Sequence, residues 1–186
     1  MSVKDKKRGR PAEAKRSLSS ESIIKQAKQL MEQDGKVPSI RHLALTLGVD
    51  AMAIYHYFKN KNALLDAMTV SLMNDIYEPT LNEDWEGELK RLCVSYLELL
   101  DKYSGLLETL LSLKSQGPTE TFTIRFNTVV HHLKLEENTA NDALGLLVDY
   151  LHGFALAMKC NPDRNSLNSD MISGAIKLYC LAIRQQ

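Results

Sequence analysis

The sequence has little that would build a secreted, disulfide-linked or membrane-spanning protein. Its three cysteines, Cys93, Cys160 and Cys180, are far apart and odd in number, which predicts reduced thiols in a helical core. No run approaches the roughly 18 uncharged apolar residues of a spanning helix. The basic N-terminus also lacks the apolar stretch of a signal peptide. We therefore expect a cytoplasmic protein.

The chain as a whole lacks net charge, because its 23 Lys and Arg balance its 23 Asp and Glu. The two signs are separated along the sequence, however. Residues 1–68 hold 13 basic and 7 acidic residues, and residues 1–16 carry most of that excess. A basic end beside an acidic remainder indicates that one end meets a polyanion. A solvated tail that aids solubility is the alternative for residues 1–16.

Helical periodicity is what the sequence has in abundance. Ser19, Ser39 and Asp50 are candidate N-caps, and apolar residues follow them at three- and four-residue spacing. The pattern predicts an all-α fold of about nine helices, the third ending near Tyr57 and the fourth running toward Tyr77. It also predicts three parts: a basic arm over 1–16, a compact helical unit over 17–77 and a second helical unit over 78–186.

Residues 40–59 fit a helix-turn-helix, in which two short helices meet through a tight turn and the second enters the major groove of DNA. Ala44 is small where the helices would cross, and Gly48 stands where the turn needs a positive φ. Ile54 is an apolar residue that would pack the second helix onto the first. A hairpin of any helical protein is the alternative reading of this spacing.

If Ile54 faces inward, other side chains of the same helix are left outside. Phenolic and ammonium groups donate to phosphate, and small apolar groups contact thymine methyls. Ser39, with the free N–H groups behind it, and Arg41 lie at the start of the preceding helix, where phosphate also binds. Half-burial of the Tyr55 ring is compatible with this role. The DNA-contact candidates are Ser39, Arg41, Ala51, Met52, Ala53, Tyr55, Tyr57, Lys59 and Lys61.

These residues carry a resemblance to a known family. Three stretches, Ser39-Ile40-Arg41-His42-Leu43-Ala44, Leu47-Gly48-Val49 and Ile54-Tyr55-His56-Tyr57-Phe58-Lys59-Asn60-Lys61, resemble the DNA-binding domain of the TetR family of bacterial transcriptional regulators. The resemblance covers about residues 17–77. It implies a homodimeric repressor whose C-terminal domain binds a small molecule and thereby loosens its grip on a palindromic operator. Ala51-Met52-Ala53 departs from the base-reading Gln, Asn or Arg, so the preference for sequence would lean on methyl contacts and DNA shape.

The basic arm contains Arg8-Gly9-Arg10-Pro11, which resembles the core of an AT-hook. Such a segment lies extended in a narrow A·T minor groove. Arg8 and Arg10 are therefore further DNA-contact candidates.

The second helical unit is expected to hold the dimer interface and an effector pocket. The apolar arc of the helix near residues 139–159 is wider than one core requires, and in the family the last long helices pair across a two-fold axis. A helix enclosed within one subunit is the alternative. The residues assigned to a mixture of core and dimer contact are Leu147, Tyr150, Leu151, Phe154, Met158, Ile172, Ile176 and Tyr179.

An effector pocket is expected among the helices of residues 64–135. Tyr96 lies on one apolar stripe, and Arg125 and His132 flank the stripe that contains Phe126. Relatives that respond to tetracycline hold a magnesium–drug complex with His and Asn, and the corresponding positions here are Tyr77, Leu92 and Leu110. None of these three supplies that chemistry, so a small, largely apolar effector is expected, with no metal and no cofactor. A regulator that has no effector is the alternative.

Two other functional classes are the alternatives to a regulator. An enzyme is disfavoured because the sequence has no glycine-rich phosphate loop, no G-x-S-x-G and no H-E-x-x-H, and no catalytic residue is assigned. A helical adaptor with a degenerate helix-turn-helix is the remaining alternative, for which Ala51-Met52-Ala53 is the hint.

Overall fold

The computed structural model describes residues 18–112, 117–161, 163 and 166–185, and within them the chain is helical with no strand. The helices are α1 (Ser20–Asp34), α2 (Ile40–Leu47), α3 (Ala51–Tyr55), α4 (Lys61–Met73), α5 (Trp85–Lys102), α6 (Leu106–Ser112), α7 (Gly117–Val130), α8 (Glu137–Cys160) and α9 (Ser173–Arg184). Short 3-10 turns, His131–Leu133 and Ser169–Ile172, precede α8 and α9. The predicted all-α class is confirmed.

The first helices begin at the predicted caps. The side chain of Ser39 accepts a hydrogen bond from the backbone N–H of His42 at 3.1 Å, and Asp50 accepts from that of Met52 at 2.7 Å. Both bonds satisfy N–H groups that have no partner inside the helix. At the turn of the helix-turn-helix, Gly48 has φ of 67°, a left-handed conformation that favours glycine.

Two helices end earlier than the periodicity predicts. α3 ends at Tyr55, because the N–H groups of Tyr57 and Phe58 both turn back to the carbonyl of Ile54, at 3.0 and 3.1 Å. α4 ends at Met73 rather than near Tyr77. Beyond it the chain reaches α5 through turns and irregular backbone, which the apolar spacing alone does not reveal.

One hydrophobic core runs from α1 to α9. In its N-terminal part Ile23, Leu43 and Ile54 are fully buried, so α3 is fixed against α1 and α2. In its C-terminal part α5 contacts α7, α8 and α9. Cys93 and Cys180 lie in this core, where burial raises the pKa of both thiols, whereas Cys160, the last residue of α8, is exposed. The expectation of buried thiols therefore holds for two of the three cysteines.

α8 is long and apolar enough to cross a membrane by length and composition alone, the one such helix within the described part of the chain. It contains Asp142 and Asp149, and it packs against α5 and α7. Its apolar residues outside the core line a cavity and a groove that are described below.

The segment between α4 and α5 is anchored by Glu88, a buried carboxylate in the first turn of α5. It accepts hydrogen bonds from the hydroxyl of Tyr77 at 2.9 Å, the backbone N–H of Thr80 at 3.0 Å, the amide of Asn82 at 2.7 Å and the guanidinium of Arg91 at 2.5 Å. Burial raises the pKa of Glu88, but these bonds, with Arg91 the largest contributor, outweigh burial and lower it from 4.5 to about 2.

Replacing Glu88 by Gln is expected to destabilise the protein by about 2 kcal/mol at pH 7, because hydrogen bonds to a charged acceptor are lost. A carboxyl whose pKa is lower in the folded state stabilises that state above pH 4.5, and the stabilisation is lost as the pH falls toward 2. The free energy of unfolding from urea titrations should therefore fall less steeply in this window for E88Q than for the parent protein. The exposed Glu98 provides the control E98Q, which should keep the parent slope; equal slopes for all three proteins would contradict the role of Glu88.

Candidate nucleic-acid interface and ligand cavity

The outer face of α3 carries the side chains that the sequence assigns to DNA contact. Ile54 is buried, whereas Met52, Tyr55 and Tyr57 are 65%, 40% and 43% exposed. Ala51 and Ala53 are half-buried. Because α3 is fixed through Ile54, the exposed side chains are presented by a rigid support.

Tyr57 makes a contact that the sequence does not predict. Its hydroxyl donates to the backbone carbonyl of Leu18 at 2.6 Å, which ties the segment after α3 to the residue that precedes α1. The hydroxyl proton of Tyr57 is therefore engaged within the chain, although its oxygen can still accept a hydrogen bond; its predicted contact with phosphate stays a prediction.

The charged candidates lie on exposed positions near helix starts. Arg41 is in the first turn of α2, Lys59 precedes the Asn60 cap of α4, and Lys61 is the first residue of α4. Ser39 is exposed as well, but its side chain caps α2. Arg8 and Arg10, with the whole of the predicted arm, lie outside the described residues.

A cavity of about 320 Å³ lies among α4, α5, α6, α7 and α8. One face of α8 forms a wall of it, with Asn141, Gly145, Val148 and His152 at successive helical turns. Of the predicted effector residues, Tyr96 and Leu110 line this cavity. The region predicted for the pocket, residues 64–135, therefore supplies only part of its lining.

A polar pair lies inside the cavity. The Tyr96 hydroxyl is 2.8 Å from Nε2 of His152, and the Tyr96 ring packs against Phe122 with centroids 4.9 Å apart. Burial raises the pKa of Tyr96 and lowers that of His152, so both side chains are neutral near pH 7. The sequence patterns do not single out His152, although a histidine and an asparagine on an apolar face of a long helix could have indicated it.

Arg125 contacts the end of α4, and its predicted contact with an effector stays a prediction. Its guanidinium donates to the backbone carbonyls of Met73 at 3.2 Å, Asn74 at 3.1 Å and Ile76 at 2.7 Å. These carbonyls lie at and just beyond the end of α4, where a cation is favoured by the helix dipole. Arg125 therefore joins α7 to the end of α4.

The other predicted effector residues also lie away from the cavity lining. Leu92 and Phe126 are fully buried in the core. Tyr77 donates to Glu88, and His132 is exposed with its ring 5.6 Å from that of Trp85. Neither the positions that correspond to the tetracycline-responsive relatives nor the apolar periodicity distinguishes core positions from cavity positions.

An apolar groove of about 590 Å³ runs between α8 and α9. Leu146 and Leu178 line it and are 65% and 70% exposed, and neither was predicted from the sequence. Tyr150, Phe154 and Tyr179 are half-buried beside the core, and Tyr179 donates to the carbonyl of Ala143 at 2.8 Å. The remaining predicted dimer residues are buried within the single chain and contribute to its own core: Leu147, Leu151, Met158, Ile172 and Ile176.

The described residues hold no cluster of three or more His, Cys, Asp or Glu suited to a metal ion. The polar side chains that line the cavity are a phenol, an imidazole, one amide and two threonine hydroxyls.

Fold and surface together define an all-α protein with an N-terminal helix-turn-helix domain. Residues 23–68 match the model of bacterial regulatory proteins of the tetR family. The tetracycline repressor protein of class D from Escherichia coli is 33% identical over 90 residues, and that of class C, also from Escherichia coli, is 36% identical over 90 residues. The N-terminal part of the chain is therefore similar to regulators of the TetR family. Each of these alignments covers 46% of this chain and 41% of the relative, so the chain spans less than half the length of these repressors.

Solved structures share the fold over nearly the whole chain. BioQ with its double-stranded DNA operator has a TM-score of 0.74 at 16% identity, covering 91% of this chain and 100% of that one. ActR of Streptomyces coelicolor in complex with actinorhodin has a TM-score of 0.74 at 16% identity, covering 90% and 96%. A TetR variant of Acinetobacter baumannii in complex with minocycline has a TM-score of 0.72 at 21% identity, covering 91% and 98%.

Proposed function

We propose that this protein is a DNA-binding transcriptional regulator, a ligand-responsive repressor that binds a palindromic operator as a homodimer in the cytoplasm. The observation that carries the proposal is the division of α3, with Ile54 buried in the core and Met52 and Tyr55 exposed. The relatives named above are repressors, which supports a regulatory rather than an enzymatic role. The proposed parts are an arm over 1–16, a DNA-binding domain over 17–77 and an effector and dimerisation domain over 78–186.

The readout of bases would rest on apolar contacts. Ala51, Met52 and Ala53 lack the paired donors and acceptors that distinguish guanine or adenine edges. Met52 can contact thymine methyl groups, while Arg41, Tyr55, Lys59 and Lys61 supply donors for phosphate. We therefore expect an operator rich in A·T, whose shape contributes to specificity.

A second copy of the chain is the proposed partner for the groove between α8 and α9. Exposed leucines in an apolar groove are typical of an interface between subunits. A two-fold pair would place Leu146 and Leu178 of each protomer in the same contact, since such interfaces are self-complementary. The two DNA-binding domains would then face two half-sites of a palindrome.

Selection of bound fragments from random duplex DNA tests the proposal directly. A regulator should enrich a palindrome and bind it with a steep dependence on salt, whereas a helical adaptor should bind weakly and without sequence preference. Absence of enrichment after repeated rounds, at low as well as moderate salt, would argue for the adaptor.

Deletion of residues 1–16 is expected to weaken operator binding and flatten its salt dependence. For every phosphate that the arm no longer neutralises, the slope of log affinity against log salt should fall by about 0.9. Fluorescence anisotropy at several salt concentrations measures the slope. Replacing only Arg8 and Arg10 by Ala is the finer test. If both variants keep the salt dependence of the full-length protein, the arm has no role in binding.

A further inference from the structure

The cavity among α4–α8 has a chemical character that narrows what it can bind. None of its described lining residues is Asp, Glu, Lys or Arg, and its lining is mostly apolar. A charged ligand would lose its hydration there without gaining an opposite charge from any of these described residues. A neutral ligand avoids this penalty.

The only titratable groups among the described lining residues are Tyr96 and His152. Burial favours the neutral form of each, and they are hydrogen-bonded to one another at 2.8 Å. This pair has unused hydrogen-bonding capacity in either tautomer of the histidine. If Tyr96 donates to Nε2, its oxygen can still accept; if Nε2–H donates, the Tyr96 hydroxyl can still donate. A ligand hydroxyl, which both donates and accepts, matches both arrangements.

The size and walls of the cavity point to an aromatic ligand. Its volume of about 320 Å³ is at the lower end of the range of about 300–1,000 Å³ found for ligand sites. The tilted rings of Tyr96 and Phe122 both line this space, and aromatic rings pack favourably against a further ring through an edge or an offset face. A fused bicyclic or tricyclic ring system would fit this space.

We infer that the cavity binds a neutral, fused-ring aromatic compound bearing a hydroxyl group, and that the Tyr96–His152 pair recognises that hydroxyl. The inference rests on the proposed function, because it names the chemical class of the effector. Tyr96 is the specificity-determining residue: it selects for the polar group, while the apolar walls bind the ring.

Three bicyclic probes test the inference with the full-length protein at pH 7: 2-naphthol, naphthalene and 2-naphthoate. Isothermal titration calorimetry should give a 2-naphthol affinity about five- to ten-fold above that of naphthalene, corresponding to one net hydrogen bond. 2-Naphthoate, which has the same ring system as 2-naphthol but is an anion, should not bind measurably. Binding of 2-naphthoate as tight as that of 2-naphthol would overturn the requirement for a neutral ligand.

The variant Y96F keeps the ring and removes the hydroxyl. It should bind 2-naphthol only as tightly as naphthalene, while its affinity for naphthalene stays that of the parent protein. The control Y103F, at a tyrosine outside the cavity lining, should leave both affinities unchanged. If Y96F keeps the full preference for 2-naphthol, Tyr96 does not recognise the hydroxyl.

A second variant tests whether the probes bind in this cavity. Gly145 lines the cavity, and a Cβ at this position would meet nothing within 4 Å. Gly145→Leu should therefore fold, with a gain in helix propensity, and should bind neither 2-naphthol nor naphthalene. Parent-like binding by this variant would show that the probes bind outside the cavity.

Failure of all three probes to bind the parent protein would overturn the inference. Enrichment of an operator in the selection experiment would still leave the proposed function intact.

Discussion

Simultaneous replacement of Leu146 and Leu178 by Asp is expected to give a folded monomer that no longer binds operator DNA. Both leucines are mostly exposed in the single chain, so their replacement removes little from its core. In the proposed dimer, however, the carboxylates would be buried against apolar groups. An unpaired buried charge costs several kcal/mol, so the dimer dissociation constant should rise by at least about a thousand-fold.

Sedimentation velocity measures the change in oligomeric state, and circular dichroism shows that the variant retains its helices. Operator affinity should fall in parallel, because a monomer contacts only one half-site. Leu81, in the segment between α4 and α5, is as exposed as Leu178 and provides the control L81D. The control should remain dimeric. A double variant that also remains dimeric would show that the subunits meet at another face.

Charge reversal at Lys61 is expected to reduce operator affinity by about 10- to 100-fold without loss of stability. Lys61 is exposed and is the first residue of α4, where the helix dipole favours a negative side chain over a positive one. The variant K61E should therefore be at least as stable as the parent protein. Any loss of affinity then reports the interaction with phosphate and not a loss of fold.

The salt dependence of binding separates this explanation from a general effect of net charge. Removal of one phosphate interaction per protomer should lower the slope of log affinity against log salt by about 0.9 for each protomer. The control K90E makes the same change of charge on the exposed Lys90 of α5, far along the chain from the helix-turn-helix. It should retain the parent slope. Equal reductions in affinity for K61E and K90E would contradict a local interaction.

The sequence predicts the helix-turn-helix well because its requirements are local. Ser39 and Asp50 cap helices through bonds that span two or three residues, and Gly48 is needed for one backbone conformation. Ile54 is identified by its spacing alone. Such features depend on neighbouring residues in the sequence, so a single sequence is enough to predict them.

Long-range contacts explain what the sequence does not predict. The bond from Tyr57 to Leu18 joins residues 39 positions apart, and the pair of Tyr96 and His152 joins residues 56 apart. Apolar periodicity gives the same pattern for a helix face that lies in a core, lines a cavity or awaits a second subunit. Leu147 and Leu146 are adjacent in sequence, yet one is buried and the other exposed.

The three carbonyl groups gathered by Arg125 have a mechanical consequence. Phe122, which lines the cavity, lies one helical turn before Arg125 on α7. The same helix therefore forms part of the cavity wall and makes the contact with the end of α4. A ligand that displaces α7 would therefore either move the C-terminal end of α4 as well or break all three hydrogen bonds of Arg125. α4 begins at Lys61, on the proposed DNA-binding surface. A displacement of its C-terminal end would therefore be transmitted to that surface through thirteen residues of continuous helix.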